Sequence, residues 1–306
     1  MNRNRRRLSW LPATRHNSPP QTKVRRLDNP MKQVHCLLFS AVASVSFASA
    51  EDSNSPRTDG SRPEIAEIVG RIQKADYKGD RAGLQQLHEE LAKFLANKEE
   101  AARVRYWLGF ALWRRSINGF NEPTAPAELE SDLNLAISEF RESAEADNKS
   151  VEARIGIISC LGFLMFMHKD DPSRVQELMQ QMGPLTHELR AVAPDNPRLA
   201  WVLGGGYWFI GPERGGGQEK AIETYEHALP MARKEKSEAT DPLTPSWGEA
   251  ELWMSLAWSH LNRTTPDLAK AEECAHAALA LVPNWHYVRD ILLAQIGQAK
   301  AKSTSR

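Results

Sequence analysis

Glu223 with His227, and Glu272 with His276, stand four residues apart, which puts a carboxylate and an imidazole on one helix face where they could hold a metal or relay a proton. Neither pair extends to a His-Glu-x-x-His run and neither implies a third ligand, so both are expected to be solvated helix faces. Glu89, Glu90, Glu99 and Glu100 have the chemistry of a general acid and base, but they fall in charged helical runs where surface charge is expected. Cys160 and Cys274 lie on apolar helical stretches without a nucleophile motif and are expected to be buried free thiols. The sequence has no Gly-x-Ser-x-Gly elbow. A glycine tract, Gly204 to Gly206 and then Gly215 to Gly217, has the composition of a phosphate loop ahead of a helix starting near Gln218. It lacks the Gly-Lys-Ser/Thr ending and follows no strand, so a hairpin turn with left-handed backbone angles is expected there. These residues therefore predict no catalytic site, no metal site and no cofactor.

The elements that would position any such group are helical in pattern. Apolar residues recur at three- and four-residue spacing in 64–77, 81–96, 99–118, 128–146, 149–167, 172–192, 197–209, 218–235, 246–261, 267–281 and 286–299, and no alternating strand run of useful length occurs. The breaks carry helix punctuation: Gly79-Asp80, Asn118-Gly119, Asp147-Asn148, Asp170-Asp171-Pro172, Pro194-Asp195-Asn196-Pro197, Gly215-Gly216-Gly217, Thr264-Thr265-Pro266 and Pro283-Asn284. The expected fold class is all-α, with eleven helices paired as hairpins. The longest apolar run beyond residue 50, Ile155 to Met167, is too short to span a bilayer and reads as a buried helix.

A repeat runs through the hairpins. Trp253, Leu256, Ala257 and His260, followed by Ala271, Ala275, Ala278 and Pro283, match the tetratricopeptide pattern of Trp, Leu, Gly, Tyr, then Ala, Phe, Ala, Pro, with two extra residues in the turn. Leu203-Gly204 and Tyr207 with Ala221, Tyr225 and Ala228 form a second copy with a five-residue insertion, and Leu108-Gly109 and Leu112 with Ala136, Phe140 and Ser143 form a partial third. The chain thus resembles the tetratricopeptide repeat (TPR) family over roughly residues 99–283. Hairpin starts near 62, 99, 149, 196, 246 and 286 lie farther apart than that family's unit of about 34 residues, so the repeats are degenerate. The resemblance implies a right-handed superhelical solenoid of about five hairpins plus a C-terminal capping helix, one continuous domain over 62–300. Where the helices of a hairpin cross, only Gly or Ala lets the backbones approach, and an aromatic fills the next gap.

The resemblance also implies that the first helix of each hairpin lines an inner concave surface. With Gly109, Gly204 and Ala257 as the equivalent small position, the groove candidates are Arg103, Tyr106, Trp113 and Arg114, then Trp201, Trp208 and Phe209, then Trp258. Such a groove would hold an extended peptide or a helix, since aromatics offer large contact area at low entropy cost and Arg adds carboxylate recognition. The function implied is an exported, non-enzymatic scaffold for protein–protein or peptide binding. The competing expectation is that insertions fold back over the groove and bury the same aromatics as core. The stretch from Leu203-Gly204-Gly205-Gly206-Tyr207 through Pro212 and Gly215-Gly216 to Tyr225-Glu226-His227-Ala228-Leu229 is also similar to periplasmic repeat proteins associated with TRAP-type transporters. That similarity implies an alternative function, a small-ligand-handling accessory of a periplasmic transporter, with a closed pocket or axial channel through the repeats.

Ahead of the repeats, Met31 to Ala50 has the form of a secretory signal peptide: Lys32, an apolar stretch from about Val34 to Phe47, and the small-residue ending Ala48-Ser49-Ala50. Cleavage is expected after Ala50, and the mature chain is expected to be periplasmic or secreted. Residues 1–30 carry eight basic side chains against Asp28 alone and are expected to be an over-extension upstream of a start at Met31, absent from the mature protein. Residues 51–61 read as a flexible leader and 301–306 as a flexible tail. The whole chain balances 39 basic against 39 acidic residues; without the first fifty, 30 basic face 38 acidic ones, a net charge of −8. That balance argues against a nucleic-acid partner. The expected partner is a protein or peptide, or a transporter component, with no membrane span in the mature protein.

Overall fold

Helix boundaries follow the punctuation of the sequence closely. A computed structural model describes residues 61–304, and the expectations for residues 1–60 lie outside the described residues. The helices are α1 (Ser61–Lys78), α2 (Arg81–Ala92), α3 (Ala101–Gly119), α4 (Pro126–Ala146), α5 (Val151–Met167), α6 (Pro172–Val192), α7 (Pro197–Phe209), α8 (Gln218–Glu238), α9 (Glu249–Asn262), α10 (Leu268–Leu281) and α11 (Leu293–Thr304). No strand occurs among the described residues, and the fold class is all-α. The helix expected over 81–96 divides into α2 and a 3-10 turn at Lys93–Ala96, and a π-helical turn at Tyr287–Leu292 leads into α11. The tail expected from residue 301 is instead helical to Thr304, and Ser61, assigned to the leader, opens α1.

Four starts are capped by the acid or amide that precedes them. Asp80 accepts from the Gly83 amide at 2.8 Å, Asp171 from Ser173 and Arg174 at 3.1 Å each, Asn196 from Arg198 and Leu199 at 2.9 and 3.0 Å, and Asp267 from Lys270 at 3.0 Å. Each satisfies amides that have no partner inside the helix, a contribution of about 1 kcal/mol. Pro172 and Pro197 open α6 and α7, where a missing N–H costs nothing.

Packing runs from neighbour to neighbour. Within each of the pairs α1–α2, α3–α4, α5–α6, α7–α8 and α9–α10 the two helices lie together, and α1, α3, α5, α7 and α9 also pack in succession against one another. The crossings explain the small residues. A Cβ added at Gly109 would lie 2.8 Å from the Phe140 ring, one at Gly156 2.5 Å from the other side of the same ring, and one at Gly204 2.3 Å from Tyr225. Phe140 is thus clamped between α3 and α5 because both present bare backbone. Gly162, on the same helix as Gly156, has nothing within 4 Å of its Cβ position.

The two glycines of α5 therefore predict opposite outcomes. Gly156→Ala is expected to lower stability by about 1–3 kcal/mol through overpacking against Phe140. Gly162→Ala is expected to raise it by up to about 1 kcal/mol through helix propensity alone. Urea unfolding midpoints read both, and a Gly156→Ala midpoint at or above that of the parent would show that the ring yields without cost.

Candidate functional site

The part of the expected groove around Tyr106, Trp113, Arg114 and Trp201 is covered by the chain itself. The segment 239–248, between α8 and α9, lays Leu243 and Trp247 against it, and both are buried. The Trp107 indole N–H donates to the Leu243 carbonyl at 2.9 Å, and the Trp247 indole N–H donates to the Tyr106 hydroxyl at 3.0 Å. The Trp247 ring lies 5.6 Å from Phe110, 5.6 Å from Trp113 and 5.7 Å from Trp201. Burial lifts the Tyr106 hydroxyl well above the ordinary tyrosine range, so it stays protonated.

Two arginines are enclosed in this interior. The Arg114 guanidinium lies 5.6 to 5.9 Å from the centres of Phe110, Trp113, Trp201 and Trp247, a cage of the protein's own aromatics. It meets Asp76 of α1 at 2.7 Å and Glu251 of α9 at 3.6 Å. Arg198, at the start of α7, forks onto Glu152 of α5 at 2.6 and 2.8 Å and onto Glu235 of α8 at 2.6 Å twice, and its Nη1 also donates to the Trp247 carbonyl at 2.9 Å. Both carboxylates hold the guanidinium protonated against the opposing effect of its burial.

No protein-family model matches the chain, and no curated protein is similar to it. What the site can do must therefore follow from its own geometry.

That geometry corrects part of the expected groove. Tyr106, Trp113 and Arg114 are 4%, 1% and 3% exposed and present no surface to a partner, because Leu243 and Trp247 cover them. Trp201 is half-buried, with its indole N–H on the Ser255 hydroxyl at 2.8 Å. Trp208 and Trp258 are half-buried and meet edge to face at 5.0 Å, away from the cage. Arg103 lies at the solvent-facing start of α3, paired with Glu100 at 3.0 Å. Glu100, expected on the surface, is 6% exposed because Arg62 and Arg103 both close over it.

Phe209 is different: 71% exposed, it ends a run of aromatics at the C-terminal ends of α3, α5 and α7. Phe120 stacks on Phe163 at 5.5 Å and lies 6.2 Å from Phe166, and Phe166, itself 53% exposed, lies 6.5 Å from Phe209. Ile210 extends the apolar surface, and Lys169 places its ammonium 5.9 Å from the Phe166 ring. Phe120, Phe163 and Phe166 fall outside the expected groove because they sit toward helix ends and not at the positions that the tetratricopeptide resemblance assigns to an inner surface. For Phe163 and Phe166 the signal in the sequence is an apolar run, Ile155 to Met167, longer than one buried stripe requires.

Beside Phe209 an open cavity of about 500 Å³ lies between the α7–α8 turn and the α9–α10 turn. Its wall is already paired: Arg263 with Glu219, and Gln218 Oε1 with the amide and hydroxyl of Thr264 at 2.9 and 3.0 Å. Of the glycine tract, Gly204 to Gly206 are helical within α7, against the expected turn, whereas Gly215 at φ 81° and Gly217 at φ 108° do form one, in the left-handed region where a side chain is strained. Both cysteines of the described residues are free and buried. Glu223, His227 and His276 are exposed, and Glu272 is taken by Lys300. Among the described residues no group of three or more His, Cys, Asp or Glu could hold a metal ion, and no helix is long and apolar enough to cross a membrane.

Proposed function

We propose that this chain is a non-enzymatic TPR-like α-solenoid, five hairpins with a C-terminal helix, exported to the periplasm or beyond, that binds a protein or peptide partner. What supports the solenoid is the succession of hairpins whose first helices pack along one layer, with Gly109, Gly156 and Gly204 seated on Phe140 and Tyr225 at the crossings. What supports partner binding is one observation: the exposed aromatic edge from Phe120 through Phe166 to Phe209. A contiguous apolar edge of this kind is uncommon on a surface that meets only water, and aromatic side chains anchor protein interfaces. The binding surface of this proposal is therefore the helix-end edge, whereas the interior aromatics serve the protein's own core.

Crosslinking capture from an envelope fraction tests this, with the parent chain and a Phe166→Ser/Phe209→Ser variant as paired baits. Both positions are exposed, so the variant is expected to melt within about 0.5 kcal/mol of the parent. A protein captured by the parent and lost with the variant supports the edge. Equal capture of the same partners by both baits would overturn it.

A further inference from the structure

Three ionisable side chains from distant parts of the chain meet out of water where α1 reaches α9. Asp76 of α1 accepts from Arg114 Nε at 2.7 Å and from Asn118 Nδ2 at 2.9 Å, both on α3. Glu251 of α9 accepts from the Tyr77 hydroxyl at 2.8 Å and from the Gly248 amide at 3.0 Å, and its Oε1 lies 3.6 Å from Arg114 Nη2. The three side chains are 3%, 4% and 1% exposed for Asp76, Arg114 and Glu251. Beside them the Tyr77 ring meets Trp285 edge to face at 5.0 Å, and His286 packs against Gly79 at the end of α1.

Two carboxyl groups here share one guanidinium. If both are ionised, one negative charge is buried without a cation, at a cost that a single bound proton removes. The groups facing the two carboxyls are Arg114 and Asn118 from α3, Tyr77 from α1 and the Gly248 amide ahead of α9; His286, across Gly79, is engaged with Asp290 at 2.7 Å. None of them supplies a second cation to the cluster.

The geometry points to a proton-operated latch: one proton held on Asp76, beside the Glu251 carboxyl, fastens the α1 end of the helix array to its α9 end, and release of that proton loosens the closure. Glu251 also anchors Gly248, so the same proton bears on the segment that covers the aromatic interior. The direction follows from the acid involved. Burial, ahead of the opposing pull of Arg114, raises the Asp76 carboxyl to about 6 from its ordinary 3.8. A carboxyl raised by folding stabilises the closed state fully below its ordinary value, and that contribution is lost as pH rises through about 6. The latch is tight in acid and slack at neutral pH.

Hydrogen exchange read by mass spectrometry on the full chain tests this at pH 4.5 and 7.5, after correction for the intrinsic pH dependence of exchange. Peptides from α1 and α9 are expected to lose roughly tenfold or more of their protection at the higher pH, while those from α4 hold theirs. Asp76→Asn is expected to abolish the difference, and Glu251→Gln, which removes one of the two charges that share Arg114 but leaves Asp76 buried, to reduce it. Equal wild-type protection at both pH values, or a pH difference that survives in folded Asp76→Asn or is undiminished in Glu251→Gln, would overturn the latch. A carbon-13 titration of the wild-type Asp76 carboxyl is an independent test: a midpoint near 6 is expected, and one near 4 would overturn it.

Discussion

Trp247→Ala is expected to destabilise the fold by about 3–5 kcal/mol, the range for removing a large aromatic from a packed core. The residue sits in a loop, where such a change would ordinarily cost little. Its ring, however, closes on Phe110, Trp113 and Trp201 and lies 5.8 Å from Arg114 and 5.9 Å from Arg198. Truncation would also strip the Tyr106 hydroxyl of its donor and open a path for water to two buried arginines. Trp247→Phe keeps most of the apolar contact and loses the N–H, so about 1–2 kcal/mol is expected. Urea unfolding gives both numbers. A loss below about 1 kcal/mol for the alanine variant would mean that 239–248 lies on the interior without being part of it, and the groove would again be open to a partner.

That a loop covers the groove is far less visible in the sequence than the helices are, for a physical reason. Helices are legible because each buries one stripe, and burial leaves a periodic trace; the caps at Asp80, Asp171, Asn196 and Asp267 are legible because they act within four residues of themselves. The Gly109–Phe140 and Gly204–Tyr225 contacts are legible too, since the resemblance to the tetratricopeptide pattern pairs a small residue of one helix with an aromatic of the next. Whether Tyr106 and Trp113 face a groove or a core is not a property of α3. It depends on what lies opposite, and that is Trp247, 141 residues from Tyr106. An Arg surrounded by aromatics has the same composition whether it awaits a carboxylate from a partner or already faces one from Asp76. The helix expected over 246–261 takes Trp247 into its first turn, but α9 begins at Glu249, which leaves Trp247 with Leu243 among the turn-forming residues of ATDPLTPSWG, where two large apolar side chains must be buried somewhere.

The largest charge effect belongs to Arg114. Arg114→Leu keeps apolar bulk within the aromatic cage but leaves Asp76 and Glu251 facing each other without a cation, and removing one partner of a buried ion pair costs about 3–5 kcal/mol. That cost is expected to depend on pH in a definite sense. In the parent, Arg114 pulls the Asp76 carboxyl down against the stronger effect of burial. Without Arg114 the carboxyl must rise above 6, so the variant keeps its proton to higher pH and loses stability as it is forced to release it. At pH 5, where Asp76 is protonated in both proteins, the difference between them should be smallest; at pH 8, where the variant must hold two buried negative charges or remain protonated at a cost, it should be greatest. Urea unfolding of the two proteins at pH 5, 6.5 and 8 measures the gap. A gap that widens with pH locates the role of Arg114 in charge compensation. A gap of the same size throughout would locate it in the packing of a flat cation among four rings.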